Sequence, residues 1–266
     1  MNNVLIRHAD LYDPCHAGLR DILILNGTVA HIAPDIDVGD LPGLEVLDAE
    51  GRAVVPGYID QHVHIIGGGG ESGPFSRTPE VPLSEVTRAG VTTVVGVIGT
   101  DGTTRHPESL LAKARALETE GISAYILTGS YELPLHTLTG DARRDIILID
   151  KVLGIGELAI SDHRSSQPTK DELKRVMTQA RLGGMLSGKA GVVQFHLGTG
   201  KTGLRTLVEV IEETEIPAKH FIPTHLNRDP ALFAEAKEFA RLGGWASTTF
   251  ESGRERKMIP QSAKPS

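Results

Sequence analysis

The chain carries two patterns of apolar and polar positions, which meet near residue 57. Up to about residue 55, short apolar runs such as "DILILNGTVAHIAP" alternate with polar residues. The Asn26-Gly27 pair between two of these runs is typical of a hairpin turn. From Gly57 onward, β-branched runs alternate with stretches of helical period. We therefore predict a small β-sandwich module over residues 1–56 and a second domain over residues 57–250.

The second domain repeats a strand and a helix about every 30 to 35 residues. Seven segments read as strands: "GYIDQHVH", "VTTVVGVIG", "ISAYILTG", "GELAISD", "GVVQFHLG", "HFIPTHLN" and, more weakly, "GWASTTF". Continuous apolar strands with helices between them predict a parallel sheet covered by helices. The repeat favours a (β/α) TIM-like barrel, and seven strands make it incomplete, because a closed barrel of this type has eight. Residues 251–266 show neither period and are predicted to be an irregular tail.

Local signals mark where the helices begin and end. Thr169 and Glu172 have the spacing of a capping box, and the helix that they start is expected to stop at Gly183-Gly184. Asp229 is followed by Pro230, which predicts another helix start at this point.

Composition narrows the classes of function. The net charge of −7, with acids and bases interspersed, argues against a nucleic-acid or membrane partner. The start of the chain does not read as a signal peptide and no apolar run approaches the length of a membrane span, so we expect a cytoplasmic protein. Cys15 is the only cysteine, so a metal site would have to use histidine and carboxylate ligands.

Four predicted strands carry metal-ligand side chains near their ends. His62 and His64 are two residues apart on one strand and therefore share a face. Three further strands of the same predicted barrel carry Glu157 at the beginning of "GELAISD", His196 at the end of "GVVQFH" and His225 near the end of "HFIPTH". Because the carboxyl ends of barrel strands meet at one mouth, these side chains are expected to converge there. Imidazole and carboxylate suit Zn²⁺ or a similar divalent ion.

Other motifs are weaker. The string "GTGKTG", Gly198 to Gly203, has Phe195 where a phosphate-binding loop needs a glycine, so we interpret it as a loop before a helix. His163 follows the fourth barrel strand and is as easily structural as a support for a metal site. The glycine run at residues 67–70 permits close approach of a ligand and places Glu71 above the mouth.

Longer strings carry a resemblance to a known family. The segments "PGYIDQHVHIIGGGGESGP", "LTGSYELP", "AISDHRS", "FHLG" and "THLNR" resemble the amidohydrolase superfamily and, within it, the isoaspartyl (β-aspartyl) dipeptidase family. The resemblance implies two zinc ions, one held by His62 and His64 and the other by His196 and His225. Glu157 stands where many members have a carbamylated lysine, and a glutamate can bridge directly. A hydroxide between the metals would then attack the isopeptide bond of a β-aspartyl dipeptide.

The resemblance also implies contacts with a small acidic dipeptide. Glu71 would receive its free α-amino group, and Arg164 and Arg228 would hold carboxylates. Tyr131 would act in catalysis by donating to the developing oxyanion, and Thr100 would line the pocket. The family resemblance further implies a homo-oligomer.

One departure from the family leaves alternatives open. The family has an aspartate at the end of the eighth strand, which binds metal and carries a proton, and no aspartate follows Asp229 here. We therefore expect a chain truncated at its C-terminus, and loss of such a general acid–base costs about 10²–10⁴-fold in rate. A catalytically impaired fragment is one alternative. Another is an amidohydrolase of the dihydroorotase or hydantoinase type, acting on cyclic amides.

Overall fold

The structure is a computed structural model that describes residues 3–249. The chain divides into two compact units, Met1–Tyr58 and Ile59–Ser266, whereas the sequence predicted a division after residue 56. The predicted irregular tail, residues 251–266, lies outside the described residues. Within residues 3–249, no helix combines the length and the apolar character that a membrane crossing requires.

The first unit is a single five-stranded sheet. Its strands are β1 (Asn3–Tyr12), β2 (His16–Leu25), β3 (Thr28–Ala33), β4 (Leu44–Asp48) and β5 (Ala53–Val54). Their order is β3-β2-β1-β4, and β5 also pairs with β1. Asn26 and Gly27 join β2 to β3 with φ angles of 52° and 77°, as a type I′ hairpin turn requires. The five strands described between residues 3 and 54 belong to one sheet, whereas we predicted a sandwich, which has two.

The second unit alternates strands and helices in the predicted order. The strands are β6 (Tyr58–Val63), β7 (Val91–Gly96), β8 (Ser123–Thr128), β9 (Val152–Ile160), β10 (Val192–Leu197) and β11 (Phe221–Thr224). The helices are α1 (Leu83–Arg88), α2 (Pro107–Glu120), α3 (Ala142–Leu148), α4 (Lys170–Ser187), α5 (Arg205–Glu212) and α6 (Pro230–Arg241). The sheet runs in chain order from β6 to β11, and the pairs between β7 and β11 are parallel. This is the predicted incomplete (β/α) barrel.

The predicted seventh barrel strand is not a regular strand in the described residues, which end at residue 249. Residues 245–249 nevertheless lie beside the end of β11. The Ser247 amide donates to the Pro223 carbonyl at 3.1 Å, and the Leu226 amide donates to the Ser247 carbonyl at 3.2 Å. The sheet therefore has six regular strands in the described part, with this segment held at its β11 edge.

Two helix starts agree with the sequence prediction. Thr169 and Glu172 form a full capping box at the start of α4, in which each side chain bonds the other residue's backbone. The Asp229 carboxylate accepts hydrogen bonds from the first turn of α6. Both caps satisfy backbone N–H groups that have no partner within the helix.

The predicted stop of α4 at Gly183-Gly184 is wrong. The helix continues to Ser187 and ends at Gly188, which adopts the left-handed conformation with φ 70°. A Cβ on Gly183 would lie 3.0 Å from the Ile146 side chain, and one on Gly184 would lie 2.5 Å from the Gly191 backbone. The two glycines therefore permit close packing within the unit and do not terminate the helix.

Successive side chains of β10 point to opposite faces of the sheet, one toward the helices and the other toward the barrel interior. Val193, Phe195 and Leu197 are buried in the main hydrophobic core. Gln194 points the other way, and its amide donates to the backbone carbonyl of Gln61 at 3.1 Å. His196 shares the face of Gln194, because residues two apart on a strand lie on the same side. The packing of the apolar residues thus fixes the direction of this histidine.

Candidate metal and substrate site

The five predicted metal ligands converge at the carboxyl ends of the strands. His62 lies in β6, Glu157 in β9 and His196 in β10. His64 follows β6 directly, and His225 follows β11 directly. In a parallel barrel sheet these strand ends meet at one edge, which is where the side chains gather.

The Glu157 carboxylate lies at the centre of this group and is fully buried. Its Oε1 atom is 3.4 Å from Nε2 of His62 and 3.5 Å from Nε2 of His64. Its Oε2 atom is 3.2 Å from Nδ1 of His196 and 3.6 Å from Nε2 of His225. One carboxylate oxygen therefore faces each pair of imidazoles. The arrangement gives two groups of three ligand atoms that share Glu157.

The polar atoms at the centre fit a bound cation. Both ring nitrogens of His62, Nδ1 of His64 and Oε1 of Glu157 are buried without a hydrogen-bond partner among the described residues. A buried polar atom without a partner costs about 1–3 kcal/mol. A divalent cation beside Oε1 of Glu157 would satisfy that oxygen and one ring nitrogen of His62, and a donor set of imidazole nitrogen and carboxylate oxygen suits Zn²⁺.

The protonation states also favour metal binding. Burial lowers the pKa of His225 to about 4 and lowers that of His64 below its ordinary value. Both imidazoles are therefore neutral at neutral pH, as ligands must be. Burial alone would raise the pKa of Glu157, but the surrounding imidazoles of His62, His196 and His225 outweigh it and hold that pKa well below its usual range. Glu157 is accordingly a carboxylate.

Three predicted substrate-site residues surround His196. The Tyr131 hydroxyl lies 2.5 Å from Nδ1 of His196, and burial raises the pKa of this tyrosine, which keeps its proton on. Arg164 Nη2 is 2.9 Å from Nε2 of His196, and Arg228 Nη1 is 3.2 Å from the same nitrogen. A phenolic donor and two guanidinium groups thus stand directly beside the metal-ligand cluster.

The remaining two predicted residues join this cluster through Arg164. Its Nη1 atom is 3.2 Å from Oε1 of Glu71, and the Thr100 hydroxyl donates to the same oxygen at 2.9 Å. Partial burial raises the pKa of Glu71. Hydrogen bonds that its carboxylate accepts from its own backbone N–H and from Thr100, together with the charge of Arg164, outweigh burial and hold that pKa below its usual value. Every residue that the sequence assigned to the site is therefore part of one connected group.

Sequence reasoning missed Asp162, which follows β9. Its carboxylate accepts from Nε and Nη2 of Arg164 at 2.9 and 2.8 Å, and its Oδ2 lies 3.2 Å from Nε2 of His196. The Arg164 hydrogen bonds hold the pKa of Asp162 below its usual range. Its position just past a barrel strand was the available signal. The neighbouring His163 is exposed.

The glycine run at residues 67–70 adopts positive φ angles, 80° at Gly67 and 67° at Gly69, and packs against the protein's own backbone. A Cβ on Gly67 would lie 2.2 Å from the Thr78 carbonyl, and one on Gly69 would lie 2.4 Å from the Ser76 carbonyl. At these two positions a side chain would collide with the backbone of residues 76–79, so the turn requires glycine. Buried Arg105 adds a hydrogen bond of 2.7 Å to the Gly68 carbonyl, which fixes the loop that leads to Glu71.

A parallel barrel sheet with a His-X-His pair on its first strand and a shared acidic bridge defines the amidohydrolase type of protein. Solved structures agree. The chain is 48% identical to the β-aspartyl dipeptidase of Fervidobacterium islandicum AW-1, with a TM-score of 0.90 over 95% of this chain and 69% of that one. It is 49% identical to the same enzyme in complex with the β-Asp-Leu dipeptide, with a TM-score of 0.90 over 94% and 66% of the two chains. The chain belongs to the β-aspartyl dipeptidase family of the amidohydrolase superfamily, which confirms the resemblance found in the sequence.

More distant comparisons show similarity over part of the sequence or in the fold alone. It is 29% identical over 173 residues to the imidazolonepropionase of Stenotrophomonas maltophilia, covering 58% of this chain. L-hydantoinase from Arthrobacter aurescens shares the fold at 16% identity, with a TM-score of 0.63 over 92% of this chain and 57% of that one. The chain spans 40% and 28% of the lengths of the first two curated relatives that it matches. No family model matches it.

Proposed function

We propose that this chain is a metal-dependent hydrolase that cleaves the isopeptide bond of β-aspartyl dipeptides. The observation that carries the proposal is the buried Glu157 carboxylate, whose two oxygens each face a separate pair of imidazoles. The similarity to a β-aspartyl dipeptidase over 95% of this chain supports the substrate class. Family membership also supports the homo-oligomer and the cytoplasmic location that we include in the proposal.

The metal part of the proposal follows from the ligand sets. His62, His64 and Glu157 would hold one divalent ion, and Glu157, His196 and His225 would hold a second. We propose zinc, because neutral imidazole and carboxylate suit it. Such a pair of ions would supply an activated water and would polarise the carbonyl group of the substrate.

The neighbouring side chains would bind and orient the dipeptide. Tyr131 keeps its proton and stands beside His196, so it would donate a hydrogen bond to the oxygen on which negative charge develops. Arg228 and Arg164 would hold carboxylates of the substrate. Glu71 would accept the α-ammonium group. These roles require a substrate with both charges, as a β-aspartyl residue has.

The cyclic-amide alternative has weaker support. The dihydroorotase of Staphylococcus aureus matches at 39% identity, but only over 74 residues and 28% of this chain. A cyclic amide has no free α-ammonium group for Glu71. The carboxylate of Glu71 and the nearby guanidinium groups match a substrate end that carries both an ammonium and a carboxylate group. They therefore favour the dipeptide over a cyclic amide.

Metal content and turnover measured together test the proposal. We expect about two zinc ions per chain by elemental analysis and release of leucine from β-Asp-Leu. Glu157→Gln should lower the metal content and abolish turnover, because the amide cannot serve both ligand sets. Glu132→Gln is the control, because it makes the same change at a half-buried glutamate that is not one of the proposed ligands. Bound zinc without turnover would favour the impaired fragment, and hydrolysis of dihydroorotate in place of β-Asp-Leu would favour the alternative.

A further inference from the structure

Two oppositely charged side chains at the mouth are paired with each other. Nη1 of Arg164 lies 3.2 Å from Oε1 of Glu71. The side chains are 23% and 41% exposed, so a ligand can reach both. The Thr100 hydroxyl donates to the same Glu71 oxygen and holds it in this direction. The pair therefore occupies the place where each group would meet a charged ligand.

The other donors of Arg164 are already used. Asp162, only 4% exposed, takes Nε and Nη2 in a two-point contact. Nη2 also lies 2.9 Å from Nε2 of His196. A guanidinium held in this way is fixed in position and presents its Nη1 atom to the mouth. Glu71 covers that atom, so a ligand carboxylate and Glu71 compete for it.

A small cavity lies next to the pair. It has a volume of about 30 Å³, and its lining includes His64, Glu71, Thr100 and Tyr131. A cavity of this size holds about one water molecule, and an ammonium group has similar dimensions. The charged residues that line it are Glu71, Asp101 and Arg105, so a small cation that enters it meets two carboxylates and one guanidinium group.

We propose that the Glu71–Arg164 ion pair is an internal substitute for a zwitterionic ligand end, in which an ammonium and a carboxylate sit on one carbon atom. Such a ligand exchanges one ion pair for two, since its ammonium takes Glu71 and its carboxylate takes Arg164. This deepens the proposed function and rests on it for the substrate class. The pair makes recognition of the two ligand charges cooperative.

Cooperativity follows from what a ligand with one charge leaves behind. A carboxylate alone displaces Glu71 from Arg164 and leaves the Glu71 carboxylate without a cationic partner, held by the Thr100 hydroxyl and its own backbone N–H. An ammonium alone draws Glu71 away and leaves Nη1 of Arg164 without its carboxylate. In each case one new ion pair replaces an old one, so the charge of the ligand adds little to its binding free energy. Only a zwitterionic ligand leaves both Glu71 and Arg164 with an oppositely charged partner.

Four ligands test this on the unaltered chain. β-Asp-Leu carries both charges, succinyl-leucine lacks the ammonium, β-alanyl-leucine lacks the carboxylate, and propionyl-leucine lacks both. Their dissociation constants are measured by calorimetry on chelator-treated chain, with product formation checked by NMR. We expect β-Asp-Leu to bind at least about five-fold more tightly than the product of the two single-charge effects predicts. Independent effects of the two charges, or no binding of β-Asp-Leu, would overturn the proposal.

Replacing Glu71 gives a second prediction, in which the affinities for two ligands change in opposite directions. Glu71→Gln should tighten the binding of succinyl-leucine by about five-fold, since Arg164 is released, while weakening that of β-Asp-Leu. Glu132→Gln removes a charge from a neighbouring loop without touching the pair and should leave both values unchanged. Unchanged or weaker succinyl-leucine binding in Glu71→Gln, or equal tightening in Glu132→Gln, would contradict the proposal. Turnover of β-Asp-Leu with zinc present, in that event, would show that the proposed function stands without it.

Discussion

Asp145 in α3 offers a sharp test of how the loop that carries Tyr131 is held. Its carboxylate is fully buried. Oδ2 accepts from the Thr128 hydroxyl at 2.6 Å and from the Leu138 amide at 2.8 Å. Oδ1 accepts from the amide and the hydroxyl of Thr139 at 2.8 and 2.7 Å. Asp145→Asn keeps the shape and replaces one acceptor oxygen by a donor.

The magnitude follows from the four contacts. In either orientation of the new amide, its NH₂ group faces one hydroxyl, which can rotate, and one backbone N–H, which cannot. A hydrogen bond to a charged acceptor contributes about 1.5–3 kcal/mol, and a buried donor without a partner costs about 1–3 kcal/mol. We therefore expect Asp145→Asn to lower the free energy of unfolding by about 3–5 kcal/mol, a large part of the 5–15 kcal/mol typical of a domain.

Urea unfolding followed by tryptophan fluorescence measures this, because Trp245 is the only tryptophan and lies in the second unit. The control is Asp150→Asn, since Asp150 is exposed five positions further along the chain. A loss below about 1 kcal/mol for Asp145→Asn, or an equal loss for both variants, would refute the reasoning, because a surface substitution changes stability by about 0.5 kcal/mol at most.

Three further predictions concern the site. Burial lowers the pKa of His225 to about 4, so between this value and about 6.5 the unfolded chain binds more protons than the folded one. The free energy of unfolding of the metal-free chain should therefore fall by up to about 3 kcal/mol as the pH drops from about 6.5 to about 4. In His225→Gln the fall over the same pH range should be smaller. Gly67→Ala should lower the melting temperature by clearly more than Gly188→Ala does. Both glycines have φ angles near 70–80°, but only a Cβ on Gly67 would collide with backbone, 2.2 Å from the Thr78 carbonyl. Equal shifts of the two melting temperatures would count against this collision. Tyr131→Phe should slow hydrolysis of β-Asp-Leu by about 10²–10³-fold with the zinc content unchanged, and a rate within two-fold of the parent would exclude an oxyanion role.

The sequence carried enough to predict the barrel and the convergence of the candidate ligands, because both follow from short-range rules. On β10 the apolar residues Phe195 and Leu197 face the core, so the period of two directs His196 inward. The carboxyl ends of parallel strands meet at one edge, which brings Glu157 and His225 to the same place.

What the sequence could not predict depends on contacts between distant segments. Gly183 and Gly184 read as a helix stop, but they lie inside α4 because Ile146 and Gly191 approach them closely. Asp162 became visible as part of the site only through its two-point contact with Arg164. Glycine and aspartate can each have several structural roles, and the residues that pack against them in the fold decide which role they have.

The identity of the side chain at the centre of the site has a practical consequence. Family members with a carbamylated lysine must capture carbon dioxide after synthesis before their bridging group exists. In this chain the carboxylate of Glu157 is encoded by the gene and is present as soon as the strand folds. Assembly of its metal centre should therefore be indifferent to bicarbonate in the growth medium or the refolding buffer.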